Sequence, residues 1–327
     1  MKTPPLSAII APGALMTTLW LAPTERAFQV AWVGFTAWGA LRAAQKGRPF
    51  NAAVVALAGA AALIPMLFDV PPTVVLIAAL CAAGAFPFHL GTFALERGLL
   101  LAEFQLVLLG QPGLAWLHRY TTVHGPITGP TFGWMLGAFV CSAVLMTGLG
   151  LVRQRPSRAV TAILLSQSML ALAGALGGEA GWGAARALWA SMALATIVLQ
   201  GTVRRLALHY GATHLDQAWG LAETEPRLHK AFLTMGWLSI GVPGGIAFFA
   251  QDVLFHAVIE HSIAATMVFL VSAALNAIVF YRVYLSLFTG PPRFARVETP
   301  SSWRLDAIFL LCVVLVVLGG LWPASVL

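Results

Sequence analysis

Charged residues are scarce in this chain: of its 327 residues, 9% are Asp, Glu, Lys or Arg and 59% are hydrophobic. A soluble domain carries roughly 25% charged residues, and no soluble fold of this size can hide so much apolar surface from water. The composition therefore excludes a soluble globular protein and predicts one that lies mostly in lipid. The net charge of +7 does not indicate nucleic-acid binding, because the basic residues are confined to loops between apolar runs.

Cysteine is also rare, and this bears on metals and cofactors. Cys81, Cys141 and Cys312 lie inside apolar runs, and their spacing matches neither a zinc knuckle nor a CxxC pair. We interpret them as small buried hydrophobic residues. The sequence also lacks a glycine-rich nucleotide motif, an iron–sulfur cysteine set and a clear haem-binding pair. It therefore predicts no cofactor and no metal ion.

Long apolar runs occupy most of the chain. Each is roughly 20 residues long, enough to cross a bilayer as a helix, and polar or Pro/Gly-rich breaks separate them. The sequence predicts an all-α polytopic transmembrane bundle of about eleven helices in a single membrane domain over 1–327. The helices are expected near 5–22, 26–44, 51–69, 72–90, 98–117, 131–152, 159–178, 184–203, 231–258, 262–289 and 305–324.

Positive charge is distributed unequally between the two sets of alternating loops. One set carries fifteen of the nineteen Lys and Arg residues, and such loops face the cytoplasm. This places the N-terminus inside and the C-terminus outside. The fifteen are Lys2, Arg42, Lys46, Arg48, Arg97, Arg153, Arg155, Arg158, Arg204, Arg205, Arg227, Lys230, Arg293, Arg296 and Arg304.

The longest polar stretch, residues 204–230, is predicted to be a cytoplasmic loop. It carries His209, His214, Asp216 and Arg227. One interpretation is a solvated linker with a short amphipathic helix on the membrane surface. The other is a docking surface for a soluble partner, and both remain open.

Two segments predict broken helices within or at the edge of the bilayer. One contains Pro87, in Phe86-Pro87-Phe88-His89, and the other contains Pro243, Gly244 and Gly245. Proline removes a backbone donor and glycine relaxes the backbone. The backbone groups that a break frees in lipid need a cavity or a partner, as in transport proteins.

In their order along the chain, these segments and three others resemble the antiporter-like membrane subunits of respiratory complex I, Mrp-type cation/proton antiporters and membrane-bound hydrogenases. The family has a Pro-Phe-His sequence, then Ser-x-x-His-Met, a broken helix with Leu-Ser-x-x-Gly-x-Pro-Pro, and a helix ending in Phe-x-Gly. The corresponding segments here are 86–89, 166–169, 238–248 and 281–290, with Trp189 and Ser191 where the family has a helix with a histidine.

The resemblance covers an antiporter-like core at roughly 70–290. It implies a subunit of a multi-subunit complex in a bacterial-type inner membrane. The implied partners are other membrane subunits, a soluble subunit on the cytoplasmic side, or both. The implied activity is proton or cation translocation.

The departures from the family concern its proton path, which the resemblance assigns to buried lysines, histidines and a glutamate. The two lysine positions fall on Ala82 and Gly110, and the histidine positions fall near Gln167 and Ser191. The three lysines of this chain lie in predicted loops or at the edges of spans. A buried lysine works because desolvation brings its pKa toward neutrality, so the usual path is predicted to be lost.

Ionisable residues do remain inside predicted spans, where their cost makes a functional role the default interpretation. Asp252, His256 and Glu260 recur every fourth residue on one helical face, and a second set consists of His89, Glu96 and Glu103. These six are the candidates for a proton or ion path. The alternatives are that His89 caps a broken helix, that Asp252 pairs with Arg282 or with backbone amides at the break, and that His256 and Glu260 are wetted and inert.

Three functions are consistent with these observations. The first is an anchoring or organising subunit, or one with altered proton translocation. The second is an active translocating subunit with a path rewired through Glu103, His89 and Asp252. The third is the membrane half of a two-component inorganic-carbon uptake complex with a soluble zinc partner. In each the chain is at most a non-catalytic or ion-translocating subunit of a larger enzyme complex.

Overall fold

The computed structural model describes residues 7–86, 88–89, 111–292, 294 and 303–321, and the structural statements below concern these residues. Within them every regular element is an α-helix and no strand occurs. The helices are α1 (Ser7–Leu21), α2 (Glu25–Gln45), α3 (Pro49–Leu67), α4 (Pro72–Ala83), α5 (Pro112–His124), α6 (Gly129–Val152), α7 (Pro156–Ala175), α8 (Glu179–Tyr210), α9 (Pro226–Ser239), α10 (Ile246–Ile259), α11 (Ile263–Phe288) and α12 (Trp303–Leu321).

The helices follow most of the predicted apolar runs, with four differences. α4 ends at Ala83 rather than near 90, α8 continues to Tyr210 rather than 203, and the run 231–258 is divided between α9 and α10. In place of the run 98–117 the structure has α5, which begins at Pro112 and continues to His124, and 98–110 lies outside the described residues. Five helices (α3, α6, α7, α8 and α11) are long and apolar enough to cross a membrane. The described part of the chain is therefore all-helical with several apolar helices of spanning length, and the count of eleven spans and the sidedness of the termini remain predictions.

Proline and glycine set many of the helix ends. Proline occupies the first turn of α3, α4, α5, α7 and α9, where its missing N–H costs no helical hydrogen bond. Gly84 and Gly211 close α4 and α8 with φ of 64° and 69°, a left-handed conformation that glycine adopts without steric cost.

The chain divides into two compact units, residues 1–142 and 143–327, and α6 runs through the division. In the first unit α2 packs on α3, α3 on α4 and α4 on α5. Two buried tryptophans join these helices. The indole N–H of Trp32 donates to the carbonyl oxygen of Gly59 at 3.1 Å, and that of Trp116 donates to Ala62 at 2.7 Å. Both bonds satisfy donors that would otherwise be costly to bury.

The second unit is built around α7, which is buried along nearly its whole length and packs against α8, α10 and α11. Close approaches between its helices depend on glycine. A Cβ on Gly236 of α9 would overlap the ring of Phe280, and one on Gly320 of α12 would lie 2.7 Å from the carbonyl oxygen of Gly244. α12 therefore packs directly on the segment between α9 and α10.

Candidate functional site

The chain leaves helical geometry between α9 and α10, so Pro243, Gly244 and Gly245 lie between two helices. Gly241 and Gly244 have φ of 86° and 103°, which only glycine adopts without strain. Gly245 is the N-cap of α10. This segment orients α10 so that Gln251, in its second turn, reaches α7.

A cluster of neutral polar side chains lies in the interior of the second unit, and we call it the buried polar cluster. Its members come from α7, α8, α10 and α11. They are Ser166, Gln167, Ser191, Gln251, Ser272 and Asn276, all buried except the half-buried Gln251.

Hydrogen bonds connect most of the buried polar cluster across helices. Nε2 of Gln251 donates to Oε1 of Gln167 at 3.1 Å. Nδ2 of Asn276 donates to Oγ of Ser166 at 3.0 Å, and the hydroxyls of Ser166 and Ser272 are 2.9 Å apart. The family resemblance draws attention to three members of the cluster, Ser166 and Gln167 in the segment 166–169 and Ser191. Ser272 and Asn276, separated by one helical turn, were missed because lone small polar residues in an apolar run carry no distinctive motif.

Three polar atoms of the buried polar cluster have no hydrogen-bond partner. They are Nε2 of Gln167, Oγ of Ser191 and Oδ1 of Asn276. The three residues are 1%, 1% and 0% exposed. Buried polar groups are nearly always satisfied, and exceptions call for a physical explanation.

Titratable side chains are nearly absent from the interior of the second unit, as far as the structure describes it. Glu225, 4% exposed, is the one buried there. It lies at the start of α9, accepts a 3.1 Å hydrogen bond from the hydroxyl of Tyr210, and is 4.0 Å from the guanidinium of Arg205. The Glu225 carboxylate therefore lies at one end of the helices, where Tyr210 and Arg205 are its partners.

The predicted stripe on α10 faces outward. Asp252 and His256 have side chains 59% and 64% exposed, with 3.7 Å between the carboxylate and Nδ1, and Glu260 at the helix end is also exposed. Arg282 is not the partner of Asp252. Its guanidinium donates instead to Gln154 and to the carbonyl oxygens of Gly150 and Arg153, because it lies level with the end of α6.

Of the second candidate set (His89, Glu96 and Glu103), His89 is the one member among the described residues, and it lies in the first unit. After α4 ends at Gly84, the amide of Phe86 donates to Oγ of Ser142 at 2.6 Å. The rings of Phe86 and His89 stack with centroids 5.8 Å apart, and Ala82 is half-buried in the last turn of α4. Pro87, Glu96, Glu103 and Gly110 lie outside the described residues.

Residues 211–225, which we call the capping strap, cover one end of the second unit. The backbone amides of 219–222 donate to carbonyl oxygens of 286–289, at 2.8 to 3.3 Å. The amide of Leu215 also donates to the carbonyl oxygen of Gln154 at 2.8 Å. The strap thus satisfies carbonyls that a helix end leaves open. No helix forms within 211–225.

The exposed side of this end carries the four residues predicted for partner docking, His209, His214, Asp216 and Arg227. Next to them, at the start of α9, Nε2 of His229 is 2.7 Å from the hydroxyl of Tyr284. Burial, and then the charge of Lys230, lower the pKa of His229 below its ordinary value of 6.5.

Across the described ranges, no group of three or more His, Cys, Asp and Glu residues is placed to hold a metal ion.

No family model and no curated protein matches the sequence. Solved structures do match the fold. A chain of respiratory complex I from Thermus thermophilus with bound NADH has a TM-score of 0.71 and 18% identity, over 98% of this chain and 71% of that one. A chain of the Thermus thermophilus complex with bound Aureothin has a TM-score of 0.73 and 16% identity, over 99% and 80%. A chain of the Mrp complex from Dietzia sp. DQ12-45-1b has a TM-score of 0.78 and 16% identity, over 97% and 75%.

The fold is that of these chains of respiratory complex I and of the Mrp complex. The order of the sequence motifs predicted this fold, and the prediction is confirmed. At such low identities the similarity concerns the backbone. The chemistry of this chain must therefore be argued from its own residues.

Proposed function

We propose that this chain is an antiporter-like integral membrane subunit that anchors and organises other membrane subunits, and that it has lost the buried proton path usual in such proteins. The main observation in favour of this proposal is that all side chains of the buried polar cluster are neutral. Glutamine, asparagine and serine hydrogen-bond well, but they do not gain or lose protons near neutral pH.

Proton transfer through a low-dielectric interior requires groups whose pKa can approach neutrality. Gln167 and Ser191, where the resemblance places histidines, cannot provide this. The two described lysines, Lys46 and Lys230, are exposed at or near the ends of α2 and α9 and lie outside the buried polar cluster. In the part of the second unit that the structure describes, the buried polar cluster contains no group that would load a proton.

The outward position of Asp252 and His256 supports the organising role. α10 is an apolar helix, and an aspartate facing lipid near the bilayer centre costs about 2.5–3.5 kcal/mol. The polar surface of a neighbouring membrane subunit would remove that cost. In this proposal the chain crosses a bacterial-type inner membrane about eleven times, with its N-terminus inside and its C-terminus outside.

Two other functions have specific observations in their favour. The Asp252–His256 pair would serve altered translocation, in a path that also uses His89 and Glu103. A soluble zinc partner in inorganic-carbon uptake would be served by exposed residues in and next to the capping strap, namely His209, His214, Asp216 and Arg227. In the first case Asp252→Asn abolishes coupled transport without affecting assembly. In the second a soluble zinc protein copurifies with the chain.

The organising role is tested by native electrophoresis of the solubilised complex. Cells that lack this chain are compared with cells that carry it unchanged or with both Asp252→Asn and His256→Gln. We expect the other membrane subunits to separate when the chain is missing, and the double variant to weaken their association. Glu179→Gln, at the exposed start of α8, is the matched control. A complex that stays intact without the chain contradicts the role.

A further inference from the structure

Asp252 is an exposed carboxylate at mid-height of the second unit, and a hydrogen bond of its neighbour fixes that height. Nε2 of the preceding residue, Gln251, donates to Oε1 of Gln167 at 3.1 Å. Gln167 lies on α7, a helix long and apolar enough to cross a membrane, about 16 Å from its first residue and about 12 Å from its last. Because the side chain of Asp252 is 59% exposed, its carboxylate lies near the middle of the span and faces away from the helix bundle.

Within the described part of the chain, the carboxylate of Asp252 pairs with one ionisable side chain. Nδ1 of His256, one turn along α10, is 3.7 Å from the carboxylate and 2.8 Å from the backbone carbonyl oxygen of Asp252. A carbonyl oxygen only accepts, so Nδ1 carries the hydrogen, and in the neutral ring Nε2 is left as an acceptor. The outer face of α10 therefore presents carboxylate oxygens and an imidazole acceptor, and α10 has no lysine or arginine.

The occupant of this face has to satisfy a carboxylate at a depth that lipid headgroups do not reach, because they lie outside a hydrocarbon core about 30 Å thick. Acyl chains offer no hydrogen-bond donor, and an ionisable side chain left against them is costly. A second copy of this chain, docked through the same face, would bring Asp252 against Asp252, since a two-fold contact pairs a surface with itself. Two like charges would then repel each other in a low-dielectric surrounding.

We propose that a transmembrane helix of a neighbouring subunit docks on this face and presents a lysine or arginine side chain to Asp252 and His256. Either side chain carries several N–H donors, enough for the carboxylate and for Nε2 of the imidazole. Ionisable residues within membranes pair with one another in this way, and such a pair fixes the depth at which two subunits meet. The proposal rests on the organising role proposed above and names what the neighbour contributes to the contact.

Photo-crosslinking within the assembled complex identifies the neighbour. Phe255 is half-buried and lies one turn from Asp252 on the same side of α10, so p-benzoylphenylalanine in its place samples the contact while Asp252 stays unchanged. Mass spectrometry of the crosslinked product should give a peptide from an apolar segment of another subunit, with a lysine or arginine in that segment. Crosslinks to lipid alone, to a second copy of this chain, or to a segment without lysine or arginine overturn the proposal.

Three substitutions test whether the charge of Asp252 holds the contact. Asp252→Asn removes the charge and Asp252→Glu keeps it, while Glu260→Gln is the matched control because it removes an exposed carboxylate about two turns away, at the end of α10. With Asp252→Asn the neighbour should dissociate from the solubilised complex roughly thirty-fold faster or more, because its own charge is left buried and unpaired. The other two variants should dissociate at nearly the rate of the unchanged complex. An unchanged rate with Asp252→Asn overturns the proposal.

A double-mutant cycle with the crosslinked subunit completes the test. Replacing its lysine or arginine by methionine should weaken the association, and adding Asp252→Asn should weaken it no further, whereas additive effects overturn the proposal. The purified full-length chain should unfold at the same temperature with and without Asp252→Asn, and a loss of stability there that matches the loss in the complex also overturns it. A neighbour that docks through an uncharged segment overturns this proposal alone, whereas a complex that assembles without the chain contradicts the organising role.

Discussion

The side-chain amide of Asn276 donates to the hydroxyl of Ser166 at 3.0 Å, and this bond joins α11 to the central helix α7 in the interior of the second unit. Ser166 is in turn 2.9 Å from the hydroxyl of Ser272 on α11. Hydrogen bonds between neutral side chains therefore connect these two helices in the interior of the second unit. Their energies can be tested one at a time.

Ser166→Ala should destabilise the protein by about 1–3 kcal/mol, because it removes the hydrogen-bond partner of the buried Asn276 amide. Chemical unfolding in detergent measures the effect. Ser168→Ala, two residues along α7, breaks a bond within one helix only and should cost less. Equal losses in the two variants would mean that the Asn276–Ser166 bond adds nothing between helices.

Gly236→Ala should destabilise by about 1–3 kcal/mol, because the new methyl group would overlap the ring of Phe280 and force α9 away from α11. Gly201 of α8 is the control: no atom lies within 4 Å of a Cβ placed there. Gly201→Ala should therefore be neutral or stabilise by up to about 1 kcal/mol through helix propensity. Thermal unfolding of both variants checks the contrast. A neutral Gly236→Ala would contradict the close packing of α9 on α11.

Glu225→Ala should loosen the capping strap, because Tyr210 loses its acceptor and Arg205 loses its nearest carboxylate. The expected cost is about 1–3 kcal/mol, and it should appear as local opening. Limited proteolysis followed by mass spectrometry should show faster cleavage within 211–225. Glu223→Ala, at an exposed position of the same strap, should leave the cleavage rate unchanged. Similar rates in both variants would show that Glu225 does not secure the strap.

The stability of this end should decrease as the pH falls through the ordinary histidine pKa. Burial, and then Lys230, lower the pKa of His229 below 6.5, so the unfolded chain binds a proton that the folded protein resists. The stability that comes from keeping His229 neutral is fully present above pH 6.5. This stability is lost progressively as the pH falls from 6.5 to the lowered pKa of His229 in the folded protein. Unfolding measured as a function of pH should show a steeper acid decline for the unchanged protein than for His229→Gln. If stability declines equally in both proteins as the pH falls, groups other than His229 cause the acid loss of stability.

The sequence predicted the positions of the helices well, because proline and glycine determine many of their ends and the apolar runs match the lengths of spans. It could not predict which face of α10 is buried. In lipid both the packed and the exposed face of a helix are apolar, so periodicity does not distinguish them. The recurrence of Asp252 and His256 correctly gave one shared face. The fold then placed that face outward.

The capping strap could not be predicted for a different reason. Its hydrogen bonds pair residues 219–222 with 286–289, and these are backbone bonds between segments far apart in the chain, so no side-chain pattern encodes them. The buried polar cluster was predicted only in part. Gln167 and Ser191 were found through the family resemblance, whereas Ser272 and Asn276 became recognisable only when α11 was packed against α7.

Proton flux through the purified full-length chain in liposomes tests the central claim most directly. A membrane potential is imposed, and the internal pH is followed with a trapped dye, against empty liposomes and an active antiporter of the same fold. The neutral buried polar cluster predicts flux no greater than that of empty liposomes, with and without sodium. Substantial flux that depends on the chain would contradict the account, and its loss in Asp252→Asn would identify the path.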